Sequence, residues 1–205
     1  MAAAPATTFD DIRKSLRSKH FLPVYLLHGA EGYYIDELVK DFDSILSEDE
    51  KVFNQYVLYA PDTEPAQVLD VCRRIPMMSD RQVVILKEAQ SARADRLSKL
   101  VPYLSAPADG TILVICYRGA DAKADIVKAV QKGGGVVFNS KKVADWNLPA
   151  VIGEHIRAKG LSADQKALEM LRDYIGSDLS RLYNEIDKLA ALLPPRAAIT
   201  PEVIE

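Results

Sequence analysis

Val24-Tyr25-Leu26-Leu27-His28-Gly29-Ala30-Glu31-Gly32 decides the fold. A continuous apolar run that stops at two closely spaced glycines reads as a strand closed by a tight turn. Beyond it Ile35, Leu38, Phe42 and Ile45 recur at helical spacing, which makes the unit strand, glycine turn, helix. Upstream, Phe9-Asp10-Asp11-Ile12 opens a helix expected over residues 9–20 with Ile12 and Leu16 on one side, and Pro23 resets the backbone.

The same alternation continues downstream. The pattern predicts strands at 55–59, 83–86, 111–117 and 136–138. Between them lie a helix over 65–75 with Val68, Cys72 and Ile75 sharing a face, a polar helix over about 95–104, and a helix carrying Ile126, Val127 and Val130 before Gly133-Gly134-Gly135. Parallel strands need long crossovers, and the crossovers here are helix-length. Five strands therefore imply a mostly parallel α/β sheet covered on both faces, in a domain spanning 1–140.

After Lys141-Lys142 the pattern turns helical, and residues 141–205 are expected to form a small three-helix bundle. Its first helix runs from Trp146 to about Lys159 and closes at Gly160, where glycine takes a left-handed cap. The second follows Ser162 as N-cap with Ala167, Leu168, Leu171 and Ile175 on one face. The third follows Asp178 with Leu179, Leu182, Ile186 and Leu189 inward, and ends before Pro194-Pro195. Thr200-Pro201-Glu202 has the cap-then-proline order of a further helix start.

At 205 residues, 48% hydrophobic and 27% charged, the chain has the composition of a soluble globular protein. A formal charge of −3 gives no global attraction to nucleic acid or anionic membranes. The start Met-Ala-Ala-Ala-Pro lacks a signal sequence, and no apolar run reaches membrane length, so a cytoplasmic protein without a membrane partner is expected. Cys72 and Cys116 lie within apolar segments and read as buried thiols rather than metal ligands or a disulfide.

The glycine turn invites a test for phosphate binding. A working P-loop needs Gly-x-x-x-x-Gly-Lys followed by Ser or Thr. Here Gly29, Glu31 and Gly32 are followed by Tyr33-Tyr34-Ile35, which supply no lysine, and Glu31 puts a carboxylate where an anion would sit. A nucleotide-hydrolysing domain of this type also places an aspartate after its third strand to help hold magnesium. This strand ends Leu86-Lys87-Glu88, with Lys87 in the aspartate's position. The site reads as degenerate, a turn that retains glycine geometry without the chemistry.

His20, His28 and His155 have no Cys, Asp or Glu neighbours at ligand spacing, no nucleophile elbow occurs, and no catalytic residue, metal or cofactor is expected. Arg73, Arg74, Lys123, Lys128, Lys132, Lys141 and Lys142 read as solvated faces, since acidic residues are interspersed and no aromatic platform accompanies them. An active P-loop NTPase and a nucleic-acid-binding adaptor stay as alternatives. ATP binding would reveal the first, and salt-dependent DNA affinity the second.

A second stretch, Cys72-Arg73-Arg74-Ile75-Pro76-Met77-Met78-Ser79-Asp80-Arg81-Gln82, carries two large hydrophobes at a chain reversal. Methionine is flexible and polarizable, and serves either as a core filler or as an adaptable contact surface. From the residues alone both readings stand.

Together with Val24 to Glu31, Ile75 to Glu88, Gly176-Ser177-Asp178-Leu179 and Asn184 to Leu189, this stretch resembles the delta subunit of the bacterial DNA polymerase III clamp loader. The likeness runs in order over nearly the whole chain, with Trp146 at the start of the helical part. The resemblance implies an AAA+-like α/β domain and a helical lid-type domain, without ATP hydrolysis by this subunit. It implies binding to the beta sliding clamp and opening of its ring for loading onto primed DNA, alongside other clamp-loader subunits within the polymerase holoenzyme. By motif position the clamp-binding residues are Ile75, Pro76, Met77, Met78 and Ser79. Other members often carry Leu-Phe where this chain has Met77-Met78, a change that preserves hydrophobicity and removes an aromatic anchor. The family's C-terminal collar domain has no counterpart in these 205 residues, so a fragment is expected.

Overall fold

The computed structural model describes residues 7–204, and the chain divides between Lys141 and Lys142 into two compact units. In the first, β1 (Val24–Gly29), β2 (Gln55–Tyr59), β3 (Gln82–Lys87), β4 (Thr111–Arg118) and β5 (Val136–Asn139) form one sheet in the order β2-β3-β4-β1-β5. Every pairing is parallel, with Leu26 opposite Ile115 and Ile85 opposite Val114. The three inner strands are buried almost end to end, whereas β2 and β5 are partly exposed, as edge strands are.

Alternate residues feed two cores. Val24, Leu26, Val84, Leu86, Leu113 and Ile115 pack with Val68, Val71 and Cys72 of α4 (Pro65–Cys72) and with Ile126, Ala129 and Val130 of α7 (Ala124–Lys132). Tyr25, Leu27, Val83, Ile85, Ile112 and Val114 pack with Ile12 and Leu16 of α1 (Phe9–Arg17) and with Ile35, Leu38 and Phe42 of α2 (Gly32–Asp43). Such two-sided covering explains why these strands read as unbroken apolar runs.

Several helix expectations need correction. α1 ends at Arg17, short of residue 20, and Ile45 lies beyond the end of α2. The polar helix over 95–104 is two short helices, α5 (Ala94–Ser98) and α6 (Val101–Ser105), because Pro102 sits in the first turn of α6 and cannot continue an earlier helix. An unforeseen helix, α3 (Glu48–Asn54), precedes β2; Ser47 accepts from the Glu50 amide while the Glu50 carboxylate accepts from Ser47.

The second unit contains α8 (Leu148–Ala158), α9 (Gln165–Ile175), α10 (Leu179–Leu192) and α11 (Pro201–Ile204). Leu148, Ile152, Ile156, Leu171, Leu182 and Ile186 are among its buried residues. Trp146 lies in a 3-10 turn before α8, not within it. Ser162 is not the cap of α9: it belongs to β6 (Ser162–Ala163), paired in parallel with β7 (Ala198–Ile199). Asp164 takes the cap role and accepts from the Ala167 amide at 2.8 Å. Among the described residues no helix is long and apolar enough to cross a membrane.

Candidate functional site

The expected helix over 65–75 stops at Cys72. Pro76 disfavours helical geometry at Ile75, and buried polar groups capture the helix-end carbonyls. Gln82 Nε2 lies 3.0 Å from both the Val71 and Arg74 carbonyl oxygens and 2.8 Å from Thr111 Oγ1. Thr111 Oγ1 donates to the Cys72 carbonyl at 2.9 Å. Ile75, expected on the inner face with Val68 and Cys72, is instead 87% exposed.

The following residues are anchored in the same way. Asn54, the last residue of α3, accepts from the Met77 amide at 2.7 Å and donates to the Met77 carbonyl at 2.8 Å. Ser79 Oγ donates to Glu50 Oε1 at 2.8 Å. Glu50 is held below its ordinary range by the Ser47 amide first and then by the Ser79 hydroxyl. Pro76 and Ser79 are half-buried, while Met77 and Met78 are 58% and 94% exposed. Met78 has φ +54°, a left-handed conformation uncommon outside glycine. The result is a backbone held by polar groups with three apolar side chains turned outward. Val52 and Phe53 of α3 are also exposed; the sequence marks this helix only through the capping-box spacing of Ser47-Glu48-Asp49-Glu50.

The glycine turn has a different construction. β1 lies between β4 and β5, the reversal point in strand order where open α/β sheets hold ligands. Here two of the turn's amides are already used: Gly29 N–H donates to the Ala120 carbonyl at 2.8 Å, and Glu31 N–H to the Ser140 carbonyl at 2.9 Å. Gly29 has φ +128°, and a Cβ on it would lie 2.3 Å from Ser140 O, so only glycine fits. Glu31 is buried and caps α2, accepting from the Tyr33 amide at 3.1 Å. Its carboxylate thus occupies the helix N-terminus, the position that would favour a phosphate. A Cβ on Gly32 would lie 2.9 Å from the Arg118 guanidinium Nε, which is itself 3.0 Å from Asp36 Oδ2. Lys87 and Glu88 follow at the end of β3, separated from β1 by β4. Lys87 is half-buried and its carbonyl accepts from Ala60; Glu88 is exposed with φ +55°.

Elsewhere the polar groups have local roles. His28 is buried with Nδ1 3.1 Å from Asp121, and His155 stacks on Tyr183 with Nε2 2.9 Å from Asp187. Among the described residues no three His, Cys, Asp or Glu side chains come together where a metal could be held. Cys72 and Cys116 are buried free thiols, each pushed up to about 12 by burial. Arg73, Arg74, Lys123, Lys128, Lys132, Lys141 and Lys142 are all exposed, and Arg74 lies over the Tyr56 ring.

The first unit, a five-stranded parallel sheet flanked by helices, has an AAA+-like fold, and it carries a closed glycine turn and an anchored apolar loop. Comparison with known proteins gives the family: the model for the DNA polymerase III delta subunit matches residues 25–141, more than half of the chain, which therefore belongs to that family. The chain is similar to DNA polymerase III subunit delta of Bacillus subtilis (strain 168), with 25% identity over 205 residues, 93% of this chain and 58% of that protein. The solved Bacillus subtilis DNA clamp loader delta protein superposes with a TM-score of 0.73 at 23% identity, over 96% of this chain and 61% of its own. The Thermotoga maritima RuvB Holliday junction branch migration motor shares the fold at a TM-score of 0.53 and 12% identity, over 94% of this chain and 63% of its own. The chain thus spans about three fifths of the length of these delta relatives.

Proposed function

We propose that this chain is the clamp-facing part of a clamp-loader delta subunit, working in the cytoplasm. It binds the beta sliding clamp through Ile75, Met77 and Met78, with Pro76 and Ser79 shaping the contact, and opens the ring for loading onto primed DNA. The α/β domain, residues 1–140, makes the contact, and residues 141–205 serve as the lid-type helical domain. Assembly with the other loader subunits is a property of the longer protein.

The observation that carries this reading is three large apolar side chains projecting from a loop whose backbone is fixed. Burying a side chain of this size contributes about 1.5–3 kcal/mol, so three in a pocket suffice for a specific contact. Membership of the delta-subunit family supports a sliding clamp as the partner. Ring opening then needs no bond chemistry: a loop that fits the strained clamp interface better than the relaxed one shifts the balance toward the open ring. ATP hydrolysis is left to other subunits, a division supported by the Glu31 cap and by the lysine at position 87.

Calorimetric titration of the 205-residue chain with its cognate beta clamp, without nucleotide, tests the proposal. Binding with a negative heat-capacity change, the mark of apolar burial, is expected. Absence of binding would overturn it.

A further inference from the structure

We infer that Asn54 is a positioning residue for the Met77-Met78 loop: from the end of α3 it fixes the loop backbone before the partner arrives, and so sets docking affinity. This rests on the proposed reading of the loop as the contact surface.

Asn54 is 1% exposed. Its Oδ1 accepts from Met77 N–H at 2.7 Å, and its Nδ2 donates to the Met77 carbonyl at 2.8 Å and to the Glu50 carbonyl at 3.2 Å. One side chain therefore supplies both the acceptor and the donor that a neighbouring strand would give to a single residue. Aspartate lacks the donor, and leucine lacks both groups. Two residues further on, Ser79 is tied to Glu50, one turn before Asn54 on the same helix. Met78 lies between these two anchors in its left-handed conformation. Strained backbone of this kind persists only where the surroundings over-determine it.

The clamp on Met77 does not secure a core. Ile75, Met77 and Met78 are exposed, so ordering them gains little for folding. The return comes on association, since each residue left to be ordered by a partner weakens binding roughly tenfold. α3 thus acts on affinity through the loop backbone.

The test is Asn54→Ala in the 205-residue chain, read by hydrogen exchange and by calorimetry against the cognate beta clamp. Exchange at the Met77 amide, which Asn54 Oδ1 holds, is expected to rise at least tenfold while β1 and β4 stay protected. Clamp affinity should fall tenfold or more, with a less favourable binding entropy. A merely structural role would instead raise exchange through the whole sheet and leave the binding entropy of the folded fraction unchanged. Local exchange that rises without loss of affinity would overturn the inference, as would exchange that does not rise. If wild type does not bind the clamp, the proposed function itself fails, and this role with it. Should Asn54→Ala not fold, Ser79→Ala removes the outer anchor at the surface; it is expected to weaken binding two- to fivefold and to speed exchange at the Met77 amide, and no change in either would count against the device.

Discussion

The Met77-Met78 loop and the Gly29–Gly32 turn are both connections beside the sheet, yet they are built in opposite ways. In the turn, backbone and side chain close on each other. The amides of Gly29 and Glu31 go to carbonyls, and the Glu31 carboxylate fills the helix N-terminus. In the loop, Asn54 holds both backbone groups of Met77, Gln82 and Thr111 hold the Arg74 and Cys72 carbonyls just before it, and the apolar side chains lie outside. The difference teaches how one sheet can close one connection and hold another open: the crevice presents the Glu31 carboxylate, and the loop presents apolar side chains.

The contrast breaks most visibly at Gly29. Gly29→Ala forces a Cβ to 2.3 Å from Ser140 O at φ +128°, and a loss on the order of 3 kcal/mol is expected in denaturant unfolding. A change under about 0.5 kcal/mol would mean the turn is slack enough to admit a ligand. Glu31→Ala removes an N-cap and should lower stability by about 1 kcal/mol. It should still give no ATP affinity by fluorescent-nucleotide titration, because Tyr33-Tyr34-Ile35 offers no lysine; measurable ATP binding would revive the NTPase reading.

The smallest effect is expected from pH at the loop's anchor. Glu50 is depressed below its ordinary value of 4.5 by the Ser47 amide and then the Ser79 hydroxyl. A group with a lowered folded value contributes its stability above 4.5 and loses it as pH falls through the lowered value. Melting midpoints of wild type and Glu50→Gln should therefore differ at neutral pH and converge on acidification below 4.5. A difference that persists in acid would show that the carboxylate's charge is not what anchors Ser79.

Much of the architecture was legible because the central strands are buried on both faces. Val24 to His28, Val83 to Leu86 and Thr111 to Tyr117 therefore appear as uninterrupted apolar runs. Local hydrogen bonding was less legible. The pair β6 and β7 is two residues long, too short to show a period, and the Ser162 amide is taken by the Ala197 carbonyl rather than by a helix start. At the candidate site, helical spacing placed Ile75 inward. The helix ends sooner because Gln82 and Thr111, distant in sequence, bind its last carbonyls. Asn54 was invisible for the same reason: its partner Met77 is 23 positions away.

The most direct test of the account is a titration of the cognate beta clamp with wild type and with Met77→Ala/Met78→Ala. Both side chains are exposed in the free chain, so the melting midpoint should stay within about 2 °C. The clamp affinity is predicted to fall at least roughly 100-fold, since two such side chains contribute about 3–6 kcal/mol when buried. Unchanged affinity in a folded double mutant would contradict the central claim that this loop is the clamp contact.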